Sequence, residues 1–339
     1  MVEHLLQHLI DEIEETHPGL GQLAALSAVA TKACKCLLVI APPGCGKSTV
    51  GQWLHDNHSH AFMKDSITRS SLKAYETEFN DFDGLLVFDD VGKIDTEHSR
   101  IQTLVTMAEL VHGHFVSKDS FQLNIEIDNF HGSAVLNIQP NILKDVVEHP
   151  SWHSNLADKS LRYYHMRRAT TPNRGPIDVE IGWGLELADV APYSEGSPIW
   201  NKLMQIGMGQ WSRPRAMEHL SDMLRAVAAM GGNPEPDEID AGLLLELIRP
   251  MTVEIELLVK RGFGTEASVN VNLFALLVEF ASYETITYGL VAADYHMRER
   301  QVAYILQGMT DWFEKIGNNP VTLRPTPELK RLLAEAGIR

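Results

Sequence analysis

The spacing of apolar residues along the chain separates segments of helical periodicity from short, continuous apolar runs. Apolar residues recur every three or four positions in several segments, which predicts helices at 1–16, 20–33, 97–113, 197–209 and 213–230. The continuous runs have the length of buried strands and predict them at 37–40, 85–89, 133–139 and 161–168. Strands that alternate with helices favour an α/β fold built on a parallel sheet.

Weaker patterns predict further elements of the core. A short strand at 60–64 and a helix at 69–79 are expected before the strand that begins at residue 85. Apolar and polar residues alternate at 122–127 and 177–181, which predicts two more strands.

The segment 231–237 is rich in glycine and proline and predicts a linker, after which a helical region extends over about 237–261. We therefore expect a core domain at 1–190, a helical lid at 191–262 and a C-terminal domain at 263–339.

The C-terminal domain has a pattern of its own. Its predicted elements are three helices, a turn, a short strand and a last helix, placed at 273–280, 286–293, 298–315, 318–320, 321–323 and 327–336. This order is the winged-helix arrangement, whose third helix meets base edges in the major groove. Arg298, Arg300 and Gln301 would then contact DNA. The segment 266–339 contains nine acidic and seven basic residues, so contact with another protein is the alternative.

The segment Ala41–Thr49 carries the strongest chemical signal. It matches the phosphate-binding pattern G-x-x-x-x-G-K-[ST] at every position except the first, where alanine replaces glycine. Glycines let backbone N–H groups turn toward phosphate oxygens, the lysine reaches the β- and γ-phosphates, and the serine can bind Mg²⁺. We therefore expect nucleotide contacts from Pro43, Gly44, Cys45, Gly46, Lys47, Ser48 and Thr49.

A second signal follows about forty residues later, where the apolar run 85–88 ends in Asp89 and Asp90. A carboxylate at the end of a strand can hold a nucleotide-bound metal ion together with Ser48. We expect Asp89 to bind the metal and Asp90 to orient or deprotonate the attacking water. The alternative is a generic glycine turn followed by an unrelated acidic loop.

Other polar residues are candidates with less support. Asn137 interrupts an apolar strand, and a buried amide needs a partner, which could be the γ-phosphate, the attacking water or a core hydrogen bond. The segment 162–174 contains four arginines and no carboxylate. These arginines reach a neighbouring subunit's γ-phosphate, contact nucleic-acid phosphates, or form a solvated loop. Arg213 and Arg215 open a helix and oppose its dipole unless an anion, such as bound nucleotide, is near; the alternative is that they are merely exposed.

Composition narrows the class of protein. The chain has 339 residues, a formal charge of −16 and a pI of about 5.3, which argues against binding nucleic acid through bulk positive charge. No apolar run approaches the length of a membrane span, and acidic residues interrupt the N-terminal helix, so we expect a cytoplasmic protein without membrane contact. Cys34, Cys36 and Cys45 are expected to be free thiols, and no histidine is expected to bind a metal ion.

Over about residues 20–230 the motifs resemble the AAA+ branch of the P-loop ATPases. Ala41–Thr49 is similar to their Walker A loop and Leu85–Asp90 to their Walker B strand. The Asp89–Gly92 segment resembles helicase loaders and transposition helper ATPases, whereas a winged helix after the lid resembles origin-recognition initiators. Many hydrolytic members have glutamate where this chain has Asp90, and the shorter side chain implies slower or assembly-dependent water activation.

The resemblance also implies roles for more distant residues. Asn137 lies where these proteins carry sensor 1, Arg162 lies near their arginine finger, and Arg213 or Arg215 lies near sensor 2. The implied fold is a P-loop NTPase parallel sheet with a helical lid and a C-terminal winged helix. The implied cofactors are ATP and Mg²⁺, bound between the subunits of a homo-oligomer, with Arg162 acting in trans.

The implied activity is ATP hydrolysis that loads, remodels or positions complexes on double-stranded DNA together with a protein partner. Replication initiation, helicase loading and transposition targeting all fit this description. The alternatives are a viral DNA-packaging motor, a switch-type signalling ATPase that uses the winged helix as an internal clamp, and a scaffold that keeps ATP for structure.

Overall fold

The computed structural model describes residues 4–41, 43–68, 70–120, 123–147, 149–152, 156–165, 175–193, 197–252, 280–281, 283–294, 298–307 and 312–335. Within these ranges a five-stranded parallel sheet is covered by helices, and a smaller antiparallel sheet forms near the C-terminus. The α/β class predicted from the alternation of strands and helices is therefore confirmed.

The α-helices follow the apolar periodicity closely. In chain order they are α1 (Leu5–Thr16), α2 (Gly21–Lys32), α3 (Lys47–Asp56), α4 (Glu76–Phe79), α5 (Glu97–Gly113), α6 (Pro140–Val147), α7 (Pro198–Gly207), α8 (Arg213–Gly231), α9 (Glu238–Ile248), α10 (Tyr288–Asp294), α11 (Glu299–Gln307) and α12 (Pro327–Glu335). The helix predicted at 69–79 is instead a 3₁₀ helix, Ser71–Tyr75, followed by the single turn of α4.

The strands are short and, in the main sheet, largely buried. In chain order they are β1 (Cys36–Ile40), β2 (Ala61–Met63), β3 (Leu85–Phe88), β4 (Val116–Ser120), β5 (Leu123–Ile127), β6 (Ser133–Ile138), β7 (Leu161–Tyr164), β8 (Ile286–Thr287), β9 (Phe313–Asn318) and β10 (Val321–Pro325). The main sheet has the order β2-β3-β6-β1-β7, the pair β4-β5 forms a separate hairpin, and the small sheet has the order β8-β10-β9.

The strand order creates a crevice at one edge of the main sheet. The chain leaves β1 toward β2 on one side, and it leaves β6 toward β7 on the other side. In open parallel sheets, ligands bind outside the carboxyl ends of the strands where the connections diverge in this way. In this chain that position lies between β1 and β6, which pair along their whole length, and the segment Ala41–Thr49 directly follows β1.

Both faces of the sheet are buried, as the continuous apolar runs require. Leu37, Val39 and Val87 belong to the core beneath α2, α3 and α8, whereas Leu38, Leu86 and Leu136 belong to the core on the opposite face, where α5 packs. Helices α7, α8 and α9 pack on one another, and α8 packs on α1 and α2. They share one core with the sheet, so the domain boundaries at 190 and 262 stay predictions.

The strand predicted at 177–181 is wrong. Ile177, Val179 and Ile181 are buried in alternation, but the segment forms no strand with any residue that the structure describes. Its backbone is bonded by side chains instead: the indole N–H of Trp53 donates to Val179 O at 2.7 Å, and Ile181 N donates to the amide oxygen of Asn57 at 3.0 Å. Burial of every second residue therefore occurs here without the hydrogen-bond ladder of a β-sheet.

The C-terminal elements differ from the prediction in two respects, the first being that Ile286 and Thr287, expected in a helix, form β8 before α10. The helix expected at 298–315 is α11, which ends at Gln307, and Phe313 begins strand β9. Phe313 has the spacing of an apolar residue on a helix, which is why a helix was expected there. In the structure it pairs with Pro325 in the β9–β10 hairpin and is buried. The predicted strand and last helix are present as β10 and α12, whereas the helix predicted at 273–280 lies almost wholly outside the described residues.

No helix in the described part of the chain has both the length and the apolar character needed to cross a membrane.

Candidate nucleotide site

The loop between β1 and α3 has a backbone shape that only glycine adopts easily. Gly44 and Gly46 both have φ of +78°. A Cβ on Gly46 would also lie 2.7 Å from a methyl carbon of Leu20. A larger residue at this position would therefore have a strained backbone and would clash with Leu20. Gly46 precedes the first turn of α3 without any side-chain cap. The positive end of the helix dipole lies at this turn and attracts anions.

Lys47 crosses the loop from the start of α3. Its side chain is 7% exposed, and Nζ donates to Ala41 O at 2.6 Å. Burial lowers the pKa of Lys47, while Cys45, Asp90 and Asp89 act in the opposite direction. The two carboxylates that follow β3 therefore favour the charged form of this ammonium.

Asp89 lies at the end of β3 and faces Ser48. Burial raises the pKa of this carboxyl, but hydrogen bonds from Lys93 and Ser48 outweigh burial, so the pKa lies below its usual value. Its Oδ1 atom is buried and has no hydrogen-bond partner within the described residues. A serine hydroxyl beside a carboxylate with an unused oxygen fits the hard oxygen ligands that Mg²⁺ requires.

Asp90 is fixed in orientation by two hydrogen bonds. Its Oδ1 accepts from Gly92 N at 2.8 Å, which caps the 3₁₀ helix Val91–Lys93, and its Oδ2 accepts from Nε2 of Gln139 at 2.9 Å. Gly92 leaves room for this arrangement, because a Cβ there would lie 2.9 Å from Asp90 Oδ1. Each carboxylate oxygen keeps a further lone pair that a water molecule can use.

Gln139 is a site residue that the sequence analysis missed, and Asn137 lies deeper than expected. Asn137 is 1% exposed, and its Nδ2 would lie 3.5 Å from a Cβ on Gly51, beneath the second turn of α3. Its Nδ2 has no partner within the described ranges. Gln139 follows two positions later on the same face of the chain and reaches Asp90. The period of a strand places Gln139 on the same face as Asn137, but only the position of β6 beside β3 brings it to Asp90.

The other loop residues predicted to contact nucleotide differ in their exposure. Cys45 is buried, Pro43 and Ser48 are exposed, and Thr49 is half-buried on the first turn of α3.

The structure corrects the expectation that Arg162 reaches a neighbouring subunit. Arg162 is 2% exposed on β7, and its guanidinium donates to Ala157 O, to Ser160 O at 3.5 Å and to Gln210 O at 2.7 Å. It also lies over the ring of Trp152, 5.6 Å from the centroid. These contacts bind the side chain inside its own subunit, where it joins β7 to the segment before α8.

The structure also corrects the expectation that Arg213 and Arg215 contact nucleotide. Arg215 pairs with Glu218 at 2.6 Å and with Asp158 at 3.5 Å. Asp158 precedes β7, so α8 begins at the amino edge of the sheet, opposite the Ala41–Thr49 loop. Arg213 is exposed on the same first turn. Neighbouring carboxylates, rather than a nucleotide, offset the helix dipole.

The three residues predicted to meet DNA lie at the start of α11. Arg298, Arg300 and Gln301 are all exposed there. The side chain of Gln301 also has a structural contact, because its Oε1 accepts from Arg298 N at 3.1 Å and thereby caps the helix.

Comparisons with known proteins add little to this geometry. No family model matches the chain, and no curated protein matches its sequence. Among solved structures, the chain is similar to a full-length MCM homologue from Methanopyrus kandleri, with a TM-score of 0.46 and 12% sequence identity. The match covers 74% of this chain and 59% of that one, so the chain spans less than two thirds of its length. A likeness of this size carries no argument about function.

Proposed function

We propose that the chain is a P-loop ATPase of the AAA+ type that binds and hydrolyses ATP with Mg²⁺ at the carboxyl edge of its parallel sheet. The observation that carries the proposal is the loop after β1, where Gly44 and Gly46 have left-handed backbone conformations and the Lys47 ammonium bonds Ala41 O. The effects of Asp89 on the pKa of Lys47 and of Ser48 on that of Asp89 support it. The chain leaves β1 and β6 toward opposite sides of the sheet, and this strand order supports the same position for a ligand.

Each residue of this group has a role that follows from its chemistry. Backbone N–H groups of the loop and the Lys47 ammonium would bind the β- and γ-phosphates. Ser48 and Asp89 would hold Mg²⁺, which supplies positive charge to the phosphoryl oxygens. The low pKa of Asp89 keeps it ionised for this purpose.

Asp90 would orient or deprotonate the attacking water. Its two hydrogen bonds, from Gly92 and Gln139, hold the carboxylate in one orientation, and positioning of this kind provides much of the catalysis of phosphoryl transfer. We assign contact with the γ-phosphate or water to Gln139 rather than Asn137, because Asn137 is buried beneath α3.

We further propose that hydrolysis drives the loading, remodelling or positioning of complexes on double-stranded DNA by a homo-oligomer with a protein partner. A winged-helix domain at 263–339 would contact DNA through the exposed start of α11, and a lid at 191–262 would follow the core at 1–190. Because Arg162 is buried, an arginine acting between subunits would come from elsewhere. Three other arginines of the basic segment, Arg167, Arg168 and Arg174, lie outside the described residues.

The test is ATP hydrolysis by the purified protein, with and without double-stranded DNA, over a range of protein concentrations. We expect a rate that rises with DNA and more steeply than linearly with protein. The control is Lys47→Ala, for which we expect a loss of at least about 100-fold in hydrolysis. A rate indifferent to DNA and concentration, with nucleotide retained through purification, would favour the switch-type alternative. Normal ATP binding by Lys47→Ala would remove the phosphate-loop assignment.

A further inference from the structure

Lys93 brings a second cation to the carboxylate that would hold the metal ion. It ends the 3₁₀ helix Val91–Lys93, and its Nζ donates a hydrogen bond to Oδ2 of Asp89. The Lys93 side chain is 64% exposed, whereas that of Asp89 is 27% exposed. The ammonium can therefore move into solvent without opening a cavity, but the carboxylate is confined by the sheet.

The two oxygens of Asp89 are in different environments. Lys93 occupies Oδ2, whereas Oδ1 is buried and has no partner within the described residues. The Lys93 ammonium and the metal ion of the proposed function would thus both contact the Asp89 carboxylate.

The local charge decides how strongly the site attracts a divalent cation. Lys47 and Lys93 carry one positive charge each, and Asp89 and Asp90 carry one negative charge each, so the four formal charges sum to zero. A divalent cation is attracted to excess negative charge, and an ammonium in contact with Asp89 cancels the charge that would attract it.

We propose that Lys93 competes with Mg²⁺ for Asp89, and so sets the Mg²⁺ concentration at which the site binds ATP with its metal. The inference rests on the proposed function and deepens it. Because exposed ion pairs are weak, the lysine shifts the metal equilibrium and does not block it. Its long, flexible stem lets the ammonium leave Asp89 without movement of the backbone.

The test compares the parental protein with Lys93→Met, Lys93→Arg and Lys73→Met. Lys73 is the matched control, because it also lies on a 3₁₀ helix and pairs with a nearby carboxylate, Glu76, with 53% of its side chain exposed. Binding of a fluorescent ATP analogue is measured as Mg²⁺ is raised from an EDTA-treated start. We expect Lys93→Met to lower the Mg²⁺ midpoint about two- to fivefold, and Lys93→Arg and Lys73→Met to leave it unchanged.

Two results would overturn the inference while leaving the proposed function intact. An unchanged midpoint in Lys93→Met would show that the ammonium does not compete, and a raised midpoint would show that Lys93 positions Asp89 for the metal. If the parental protein binds no nucleotide at any Mg²⁺ concentration, the proposed function fails instead. Mn²⁺ binding without nucleotide, followed by EPR, then tests Lys93 alone: tighter binding by Lys93→Met supports competition, and equal or weaker binding contradicts it.

Discussion

The carboxyl and amino edges of the parallel sheet both gather charged side chains, but they use them differently. At the carboxyl edge, Lys47, Asp89 and Asp90 lie around one glycine loop, and buried Asp89 Oδ1 has no partner within the described ranges. This carboxylate oxygen retains the capacity to bind something that is not part of the chain.

At the amino edge, basic side chains are matched by groups of the chain itself. Lys35 pairs with Asp222, and Arg215 pairs with Asp158 and Glu218. The buried imidazole of His219 donates from Nε2 to Asp158 O at 3.2 Å. Basic residues in an acidic chain therefore do not by themselves mark a ligand site. The distinction is that Asp89 Oδ1 at the carboxyl edge lacks a partner within the described ranges, whereas Lys35 and Arg215 at the amino edge are paired with carboxylates.

Replacing Arg162 provides the largest expected effect at the amino edge. Arg162→Met keeps much of the apolar stem but leaves the carbonyls of Ala157 and Gln210 without their donor. Each unsatisfied buried carbonyl costs about 1–3 kcal/mol, so we expect the free energy of unfolding to fall by about 3 kcal/mol in urea denaturation. Arg213→Met, at an exposed arginine on the same edge, should change it by less than about 0.5 kcal/mol.

Nucleotide affinity should stay near the parental value in Arg162→Met wherever the protein is folded. The contrary result is an Arg162→Met protein of parental stability that has lost ATP hydrolysis and regains it when mixed with Lys47→Ala subunits. That result would show that Arg162 acts between subunits and is not confined to its own.

Because its imidazole is buried, His219 at the amino edge should make the free energy of unfolding depend on pH. Burial lowers its pKa to about 3, whereas histidine in an unfolded chain titrates near 6.5. Between these values the unfolded chain binds a proton that the folded chain does not, so the free energy of unfolding rises with pH in this window. From pH 7 to pH 5 we expect the parental protein to lose about 2 kcal/mol more than His219→Gln does.

Urea denaturation at the two pH values measures this difference. Glutamine keeps an N–H donor for Asp158 O and does not titrate, so the comparison isolates the proton. Parallel losses in the two proteins would mean that His219 is not held neutral by burial. Other histidines contribute equally to both proteins and cancel.

The parts of the fold that sequence predicted are those fixed by local pattern. Apolar periodicity placed α5 at its observed bounds, and the glycine, lysine and serine of the loop have functional meaning only at one spacing. The segment 177–181 shows the limit of pattern, because alternate burial does not reveal whether a neighbouring strand or the side chains of Trp53 and Asn57 will satisfy the backbone.

The candidate site shows the same limit. Gln139 reaches Asp90 only because β6 lies beside β3, and that neighbour relation is a property of strand order. Arg162 and Arg215 were assigned by their order along the chain, but their direction depends on where Asp158, Ala157 and Gln210 lie in space. Long-range contacts of this kind leave no periodic trace in one sequence.

Arg215 gives the smallest expected effect and the most direct test of the contrast between the two edges. Its side chain is 32% exposed, and ion pairs of this exposure contribute less than about 1 kcal/mol and weaken with salt. We expect Arg215→Ala to lower the free energy of unfolding by less than about 1 kcal/mol, with a smaller loss at high salt. Its affinity for ATP should stay within about twofold of the parental value, since no nucleotide contact is removed at this edge. A tenfold loss of ATP affinity in a stably folded Arg215→Ala protein would place the start of α8 at the nucleotide and break the contrast.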